Sequence, residues 1–533
     1  MPQLRPISSL EKVFHDEAPD GEIFKGCSFL LDEEVSFQVA FCADEDCEVF
    51  PEIIAQNANC EAFWVISIPS GNPCYQDGDD YVLRREPGLF PDLLRPATEP
   101  MQIKAREWHS LWITFKSENS CDLTVKLGGE EVKLAFTCVQ KRLPEQTLLC
   151  TQWFHCDGLA HYYGVEPFSE PYWEILERHV RCAAEHGNNL LLTPLFTPPL
   201  DTEIGGERLT TQLVGVAEEN GQYRFDFDQL NRWFDMCGRC GITYFELSHL
   251  FTQWGAKHAP KIIVNGARRF GWDTDAGGSE YTDFLTQFAA SLLPFLERHG
   301  ILNRCYMHIS DEPSMKDIEA YASRSALIKK IFPGVKFIDA LSNFEFYSNG
   351  LIDTPIPSND AIEPFIGNVP ELWTYYCCCQ RYRYVSNRFF GMPSARNRVL
   401  GLQLWKFRCA GFLHWGFNFW NTQFSTKPID PFVVSDAGGN FASGDSYVVY
   451  PGEQGMPLCS LRLKVFHEAL QDLRALQLLE HLIGYCKTLA VIEEGLDEPI
   501  TFSQYPRGAA WLLDVRGRVN HKIASCILPQ NGV

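Results

Sequence analysis

The chain is short of positive charge. Its 533 residues carry 46 Lys and Arg against 68 Asp and Glu, a formal net charge of −22. That deficit argues against nucleic acid and against an anionic membrane as partners, because each needs a basic face. It suits neutral ligands better than polyanions. Long apolar runs are also missing. No stretch approaches 18 uninterrupted apolar residues, so no membrane span is expected. The opening Met1-Pro2-Gln3-Leu4-Arg5-Pro6 has none of the apolar character of a secretory signal. The expected location is therefore cytoplasmic, and the 20 Cys are read as reduced thiols. Cysteine at zinc spacing is lacking as well. Cys237-Gly238-Arg239-Cys240 stands alone, inside an apparent helix, with no second pair. Neither a metal nor a cofactor is expected. Cys377-Cys378-Cys379 reads as filling for a tightly packed strand.

What is present is apolar bulk. Hydrophobic residues make up 45% of the chain, which is too long for one simple domain. Residues 1–147 carry short alternating runs such as Val35-Ser36-Phe37-Gln38-Val39-Ala40-Phe41 and Leu123-Thr124-Val125-Lys126-Leu127, with turn residues between them. Period-2 patterning of this kind predicts antiparallel β-structure, here a β-sandwich. From residue 148 the rhythm changes. Eight apolar strands are predicted at 148–155, 189–194, 243–247, 305–310, 337–341, 352–356, 372–377 and 411–416. Helices are predicted at 173–186, 228–240, 281–299, 314–331, 397–409 and 460–482. Strands alternating with helices predict a parallel sheet, and eight of them suit a (β/α)8 TIM-type barrel over residues 148–488. The link between the fifth and sixth strands is short, so one helix is expected to be vestigial. Residues 489–533 hold short apolar runs such as Ala510-Trp511-Leu512-Leu513-Asp514-Val515 and are expected to form a small C-terminal β appendage. The fold expected is thus multidomain: sandwich, barrel, appendage.

The run Tyr306-Met307-His308-Ile309-Ser310-Asp311-Glu312-Pro313 is the most telling. An apolar strand ends in two adjacent carboxylates, and a proline stops it. Strand tips of this kind line the active site of a barrel, and paired carboxylates cleave glycosidic bonds. Capping of the following helix is the plainer alternative, and for Ser314 it is the better reading. Most retaining glycosidases hold their two carboxyls about 5 Å apart on different strands. An adjacent pair fits the substrate-assisted exception better. There the sugar's own 2-acetamido oxygen attacks the anomeric carbon, one carboxylate steadies the acetamido group and the other protonates the leaving oxygen. His308 reads as a satisfied strand histidine. A metal-dependent hydrolase built on His308, Asp311 and Glu312 ranks last, because three ligands so close on one strand point in different directions.

Two long insertions, about 248–279 and 418–455, follow predicted strands and belong on the same face as the carboxylates. They carry Trp254, Trp272, Trp420 and Tyr447, read as pocket walls. Trp415 lies at the eighth strand, where core packing and sugar stacking are equal readings, and Asn418 just beyond it is read either as bonding sugar hydroxyls or as capping a turn. His249 starts the first insertion. Of Tyr375 and Tyr376 only one can face inward, and Tyr375 is taken as the binding residue.

The segment from Arg304 to Pro313 resembles the catalytic strand of glycoside hydrolase family 123, which shares its fold with a related large domain family of unassigned function. Trp254-Gly255-Ala256-Lys257-His258-Ala259-Pro260-Lys261, Phe270-Gly271-Trp272-Asp273-Thr274, Gly411-Phe412-Leu413-His414-Trp415-Gly416-Phe417-Asn418-Phe419-Trp420 and Gly444-Asp445-Ser446-Tyr447-Val448-Val449-Tyr450-Pro451-Gly452 match it too. The resemblance spans about residues 150–485. It implies a β-sandwich before a (β/α)8 barrel, and retaining, substrate-assisted hydrolysis of terminal β-linked N-acetylhexosamine, with N-acetylgalactosamine favoured. It implies that Asp311 orients the acetamido group and that Glu312 is the general acid/base. The expected partner is a carbohydrate substrate. The other class of function is a non-catalytic carbohydrate-binding or scaffold protein that keeps the fold. The sequence leaves the oligomeric state open, a homo-oligomer included.

Overall fold

The structure is a computed structural model that describes residues 2–526. Alternating residues near the N-terminus build two sheets around one core. A five-stranded sheet runs in the order Gln3–Ser8, Val35–Cys42, Trp108–Ser117, Ala58–Ser70, Gly88–Pro96. A four-stranded sheet runs Ser28–Leu31, Glu130–Arg142, Cys121–Leu127, Pro51–Ala55. Phe29, Phe37, Phe115, Leu123, Val125 and Phe136 share the apolar cluster that both sheets feed. Val35–Cys42 is buried on both faces for nearly its whole length. Helices from the far end of the chain cover much of the sheets' other side: Leu30, Val65, Leu94 and Trp112 cluster with Val465, Phe466, Leu470 and Val515.

Eight short parallel strands follow: β1 Leu149–Gln152, β2 Leu190–Thr193, β3 Tyr244–Leu247, β4 Cys305–Met307, β5 Lys336–Ala340, β6 Thr354–Ile356, β7 Trp373–Tyr375 and β8 Gly411–His414. All eight fall inside or across the expected ranges. They form a five-stranded parallel sheet, β2-β3-β4-β5-β6, and a three-stranded one, β1-β8-β7. Among the described residues no sheet is closed by its ladder. A few hydrogen bonds cross the two seams. At one, Asn189 N donates to Cys150 O at 3.2 Å and Cys150 N to Asn189 Oδ1 at 2.8 Å. At the other, Tyr375 N donates to Pro357 O at 3.1 Å and Asn359 N to Tyr375 O at 2.8 Å. Side chains alternate as strand geometry requires. Leu190, Leu192, Tyr306, Ile338, Trp373 and Leu413 meet in one inner cluster. Their neighbours Leu191, Cys305, Met307 and Phe337 face the helices instead.

The helices that flank these strands are α1 Glu170–Glu185, α2 Asp228–Cys240, α3 Ser279–Arg298, α4 Ile318–Ile331, α5 Leu400–Lys406 and α6 Leu461–Ile483. Gly241 ends α2 in the left-handed conformation at φ 94°, which costs a glycine little. The helix expected at 397–409 is divided, with a short Ser394–Arg398 turn preceding α5. The link from β5 to β6 holds only the one-turn helix Glu345–Ser348.

The expected C-terminal β appendage is not there. Residues 485–526 contain two helices, Tyr485–Ile492 and Ala509–Ser525, and residues 527–533 lie outside the described part. The run Ala510 to Val515 begins the second of them. Its buried residues Leu512, Val515, Val519 and Ile523 recur at helical spacing and pack on α6 and the N-terminal sheets. A window of six residues was too short to reveal that period. All 20 cysteines are free thiols. No helix among the described residues is long and apolar enough to cross a membrane.

Candidate active site

The site begins where β4 stops early. After Met307 the chain leaves the ladder, because its amides find a side chain instead of a strand. The carboxylate of Asp339, on β5, accepts from Ile309 N at 3.1 Å and Ser310 N at 3.2 Å. The same carboxylate takes Nδ1 of His308 at 3.1 Å and the hydroxyl of Tyr321. The other ring nitrogen of His308 meets Glu246 on β3. Glu246 also accepts from Thr151 Oγ1 at 2.6 Å and from Trp153 Nε1 at 2.5 Å. His308, Glu246 and Asp339 are fully buried. Against the desolvation that would discharge it, bonds to Asp339 and Glu246 push the His308 imidazole up to about 10. A fixed cation therefore lies beneath the strand tip.

Asp311 and Glu312 follow at once, in unlike settings. Asp311 is 6% exposed. Its Oδ2 accepts from Gln253 Nε2 at 2.6 Å, and its carbonyl accepts from Trp254 N at 3.1 Å. Burial first, then the neighbouring Glu312 carboxyl, push it up to about 8. Glu312 is open to the cavity. It adopts φ 43°, a left-handed conformation unusual for a non-glycine residue and of the kind that clusters at functional sites. Its N–H donates to Ala340 O at 3.0 Å, and its Oε1 accepts from the Tyr375 hydroxyl at 2.7 Å. Desolvation raises its carboxyl, and the Tyr375 bond opposes that rise.

Both carboxyls line a cavity of about 440 Å³, the size of a small-molecule site. Trp153, Trp254, Tyr375, Trp415 and Phe424 give it aromatic walls. Trp254 is 38% exposed and meets Phe424 edge-on at 6.0 Å. Trp415 is held by its Nε1–H, which donates to Asp445 Oδ2 at 2.9 Å. Asp201 also lines the cavity. Its backbone N–H donates to Gln253, and its Oδ2 accepts from Phe424 N at 2.9 Å. Burial pushes its carboxyl up to about 6.

The structure thus brings together Asp311, Glu312, Trp254, Tyr375 and Trp415. Five other expected binding residues stand elsewhere. His249 lies fully buried behind the wall, its ring stacked on His308 at 4.2 Å. Trp272 lines a separate cleft of about 170 Å³ with Arg208 and Lys261. Asn418 is fully buried and spends its amide on the backbone, accepting from His155 N at 2.8 Å and donating to His155 O at 3.1 Å. Trp420 is buried, with Nε1–H donated to Val449 O at 3.1 Å. Tyr447 is buried too, its hydroxyl donated to Pro431 O at 2.8 Å. Trp420 and Tyr447 brace the second insertion from within, and Asn418 ties its start to His155, so each of the three is spent on backbone. Tyr376 points away from Tyr375 and donates to Asn397 at 3.0 Å. The Cys377–379 run leaves β7: Cys377 is buried, Cys378 reaches the cavity wall, and Cys379 is exposed.

Sequence reasoning missed Trp153, Asp201, Gln253 and Phe424. Trp153 could have been found just past the end of β1, and Gln253 beside Trp254. Asp201 and Phe424 come from segments that meet only in the folded chain.

A pocket of this kind, with paired carboxyls and aromatic walls at strand tips, is that of a glycoside hydrolase. The sequence pattern of the glycoside hydrolase 123 catalytic domain matches residues 153–479. The chain belongs to glycoside hydrolase family 123. No curated protein sequence matches it. Among solved structures it is similar to a family 123 glycoside hydrolase from Clostridium perfringens, studied for glycolipid glycan hydrolysis, at TM-score 0.75 and 14% identity over 99% of this chain and 98% of that one. At that identity the likeness is one of fold. A family 2 glycosyl hydrolase from Bacteroides cellulosilyticus DSM 14838 matches at TM-score 0.28 and 12% identity over 78% of this chain and 46% of that one. An FMN-binding β-glucuronidase from Facaelibacterium prausnitzii L2-6 matches at 0.35 and 10% over 83% and 60%.

Proposed function

We propose that the protein cleaves terminal β-linked N-acetylhexosamine, N-acetylgalactosamine in particular, with retention and by substrate assistance. The observation that carries this reading is the pair itself. Asp311 and Glu312 are adjacent, share one cavity and sit in unlike environments. Asp311 is the buried member, positioned by Gln253. It would accept the acetamido N–H and steady the positive charge that develops as the acetamido oxygen attacks the anomeric carbon. Glu312 is the member open to the cavity and would donate its proton to the leaving oxygen and later recover one from water.

Protonation supports the division of roles. Both carboxyls are raised, so the pair holds a proton near neutral pH. An acetamido N–H bonded to Asp311 would favour its charged form and leave the proton on Glu312. The buried His308 cation favours that charged form as well. The aromatic walls suit the apolar faces of a pyranose. The architecture that goes with this reading is a β-sandwich ahead of a (β/α)8 barrel. Eight consecutive parallel strands and bonds across both seams favour it.

The test is hydrolysis of aryl β-GalNAc and β-GlcNAc alongside their 2-hydroxy counterparts. Turnover is expected only with acetamido sugars. Glu312→Gln should lower kcat by about 10²–10⁴-fold with a poor leaving group and much less with an activated one. Turnover of 2-hydroxy sugars at comparable rates would exclude substrate assistance. No turnover of any sugar by folded protein that still binds sugar would indicate a binding protein.

A further inference from the structure

A second cluster of chemically able side chains lies away from the carboxyls. Cys182 is in the last turn of α1, His186 is that helix's C-cap, and Cys459 ends the short strand Pro457–Cys459 just before α6. The two sulfurs are 3.8 Å apart. Nε2 of His186 is 3.8 Å from Cys459 Sγ. One donor atom from each residue lies within 4.8 Å of the others. Cys182 and His186 are buried, and Cys459 is half-buried.

We propose that Cys182, His186 and Cys459 form a binding site for a thiophilic divalent cation of the zinc class. Two thiolates on one tetrahedral zinc, at Zn–S of about 2.3 Å, stand about 3.8 Å apart. That is the separation found here. The same radii put an imidazole nitrogen about 3.6 Å from each sulfur, close to the distance to Cys459. A disulfide would need the sulfurs at about 2.0 Å. His186 is also oriented as a ligand should be. Its Nδ1 bonds to the carbonyl of Cys182 at 2.8 Å, which fixes the tautomer and leaves Nε2 free to bind. The i, i+4 spacing of Cys182 and His186 puts both donors on one helix face. The ring of His467, on α6, lies 5.6 Å from that of His186 and offers a buried Nδ1 without a partner among the described residues. It lies outside the group of three donors that fall within 4.8 Å of one another, so the three residues are the proposed ligands. Binding would release both thiol protons to solvent and leave the cation held by two thiolates and neutral imidazole.

The position sets the role. α1 leads into the N-terminal end of β2, whereas Asp311 and Glu312 follow the C-terminal end of β4. The cluster is therefore at the opposite end of the parallel strands from the cavity. A cation there would pin α1 to the segment that starts α6 and stabilise the fold without touching substrate.

The full-length protein, reduced and stripped with chelator, should take up one equivalent of Co²⁺. The bound ion should show thiolate-to-metal charge transfer and the visible bands of a tetrahedral site. Zn²⁺ should displace it and raise the melting midpoint. X-ray absorption of the zinc form should show sulfur at about 2.3 Å and nitrogen at about 2.0 Å. These readings need no variant, so a misfolded mutant cannot decide the matter. Cys182→Ser/Cys459→Ser should abolish the charge-transfer band. No stoichiometric uptake by the wild type would overturn the proposal. So would a band that survives in the double variant and disappears in Cys379→Ser, which would move the metal to the other thiol cluster.

Discussion

At the scale of single residues, the site rests on one buried histidine. His308 carries its charge between Glu246 and Asp339, and Asp339 in turn gathers the amides that turn the chain out of β4. The residues above inherit their directions from that network, and Tyr375 opposes the rise in proton affinity that burial gives the outer one. Its hydroxyl donates to Glu312 and stabilises the ionised carboxylate, so it lowers the pKa. Removing it in Tyr375→Phe must raise that pKa. With Glu312 as the proposed general acid, which works only while protonated, the alkaline limb of kcat/KM should move to higher pH. A hydrogen bond to a charged group is worth about 1.5–3 kcal/mol, and Glu312 faces water, so a shift of about one pH unit is expected. Paired pH profiles of wild type and variant read it directly. An alkaline limb that stays put would mean that another group controls it. Much of this site was legible because a strand tip announces itself. Asp311, Glu312, Tyr375 and Trp415 all lie at or just past the ends of short apolar runs. Asn418, Trp420 and Tyr447 did not follow that rule. They sit within an insertion long enough to fold back, and only backbone partners that meet in the folded chain, Val449 O and Pro431 O inside it and His155 outside it, decide which side chains turn inward.

At the scale of elements, the eight strands were readable because both of their faces are buried, which leaves near-continuous apolar runs between helices. The C-terminal helix was not. Its apolar positions are spaced for one face against α6, and a six-residue window shows only a cluster of apolar letters. Glycine inside a strand carried a further message. Gly411 on β8 stands directly opposite Trp373 on β7, and a Cβ at that position would overlap the indole. Trp373 is fully buried in the inner cluster and has nowhere to retreat. Gly411→Ala should therefore destabilise the protein by about 1–3 kcal/mol. It should also raise KM, because Leu413 on the same strand and Trp415 just past its end both line the cavity. Thermal melting and steady-state kinetics on the aryl glycoside check both parts. An unchanged KM with a lowered midpoint would show that the strand absorbs the strain before it reaches Trp415.

At the scale of the whole molecule, the N-terminal sheets are joined to the rest through charge. Arg462, at the start of α6, donates to both oxygens of Asp92 on the strand Gly88–Pro96, each at 2.8 Å, and the pair is buried. The same guanidinium donates to Gly444 O at 2.6 Å and Tyr447 O at 2.7 Å. One side chain thus ties an N-terminal strand to the second insertion, whose Phe441 faces the cavity. Nearby, Arg398 pairs with Asp472 and Glu468, and Arg516 with Asp472 and Glu33. Burial works against the Asp472 carboxylate, yet Arg398 and Arg516 hold it below its usual value. A depressed carboxylate contributes stability above its unfolded pKa and loses it as pH falls through the folded one, so the Asp472 share of this tie weakens only in acid below the ordinary carboxylate range, whereas burial raises its neighbours Glu468, to about 7, and Glu33. Asp92 depends on Arg462 for its charge compensation. Removing the arginine strands a buried carboxylate, with an expected cost of about 3–5 kcal/mol. Arg462→Ala should lower the urea midpoint accordingly and raise KM more than it lowers kcat, because the insertion loses its anchor while Asp311 and Glu312 do not. If the N-terminal sheets and the parallel-strand region fold as one unit, tryptophan fluorescence and far-UV circular dichroism will report the same transition in wild type and variant. Transitions that separate in the variant would instead make Arg462 the bond through which two independently stable parts are coupled.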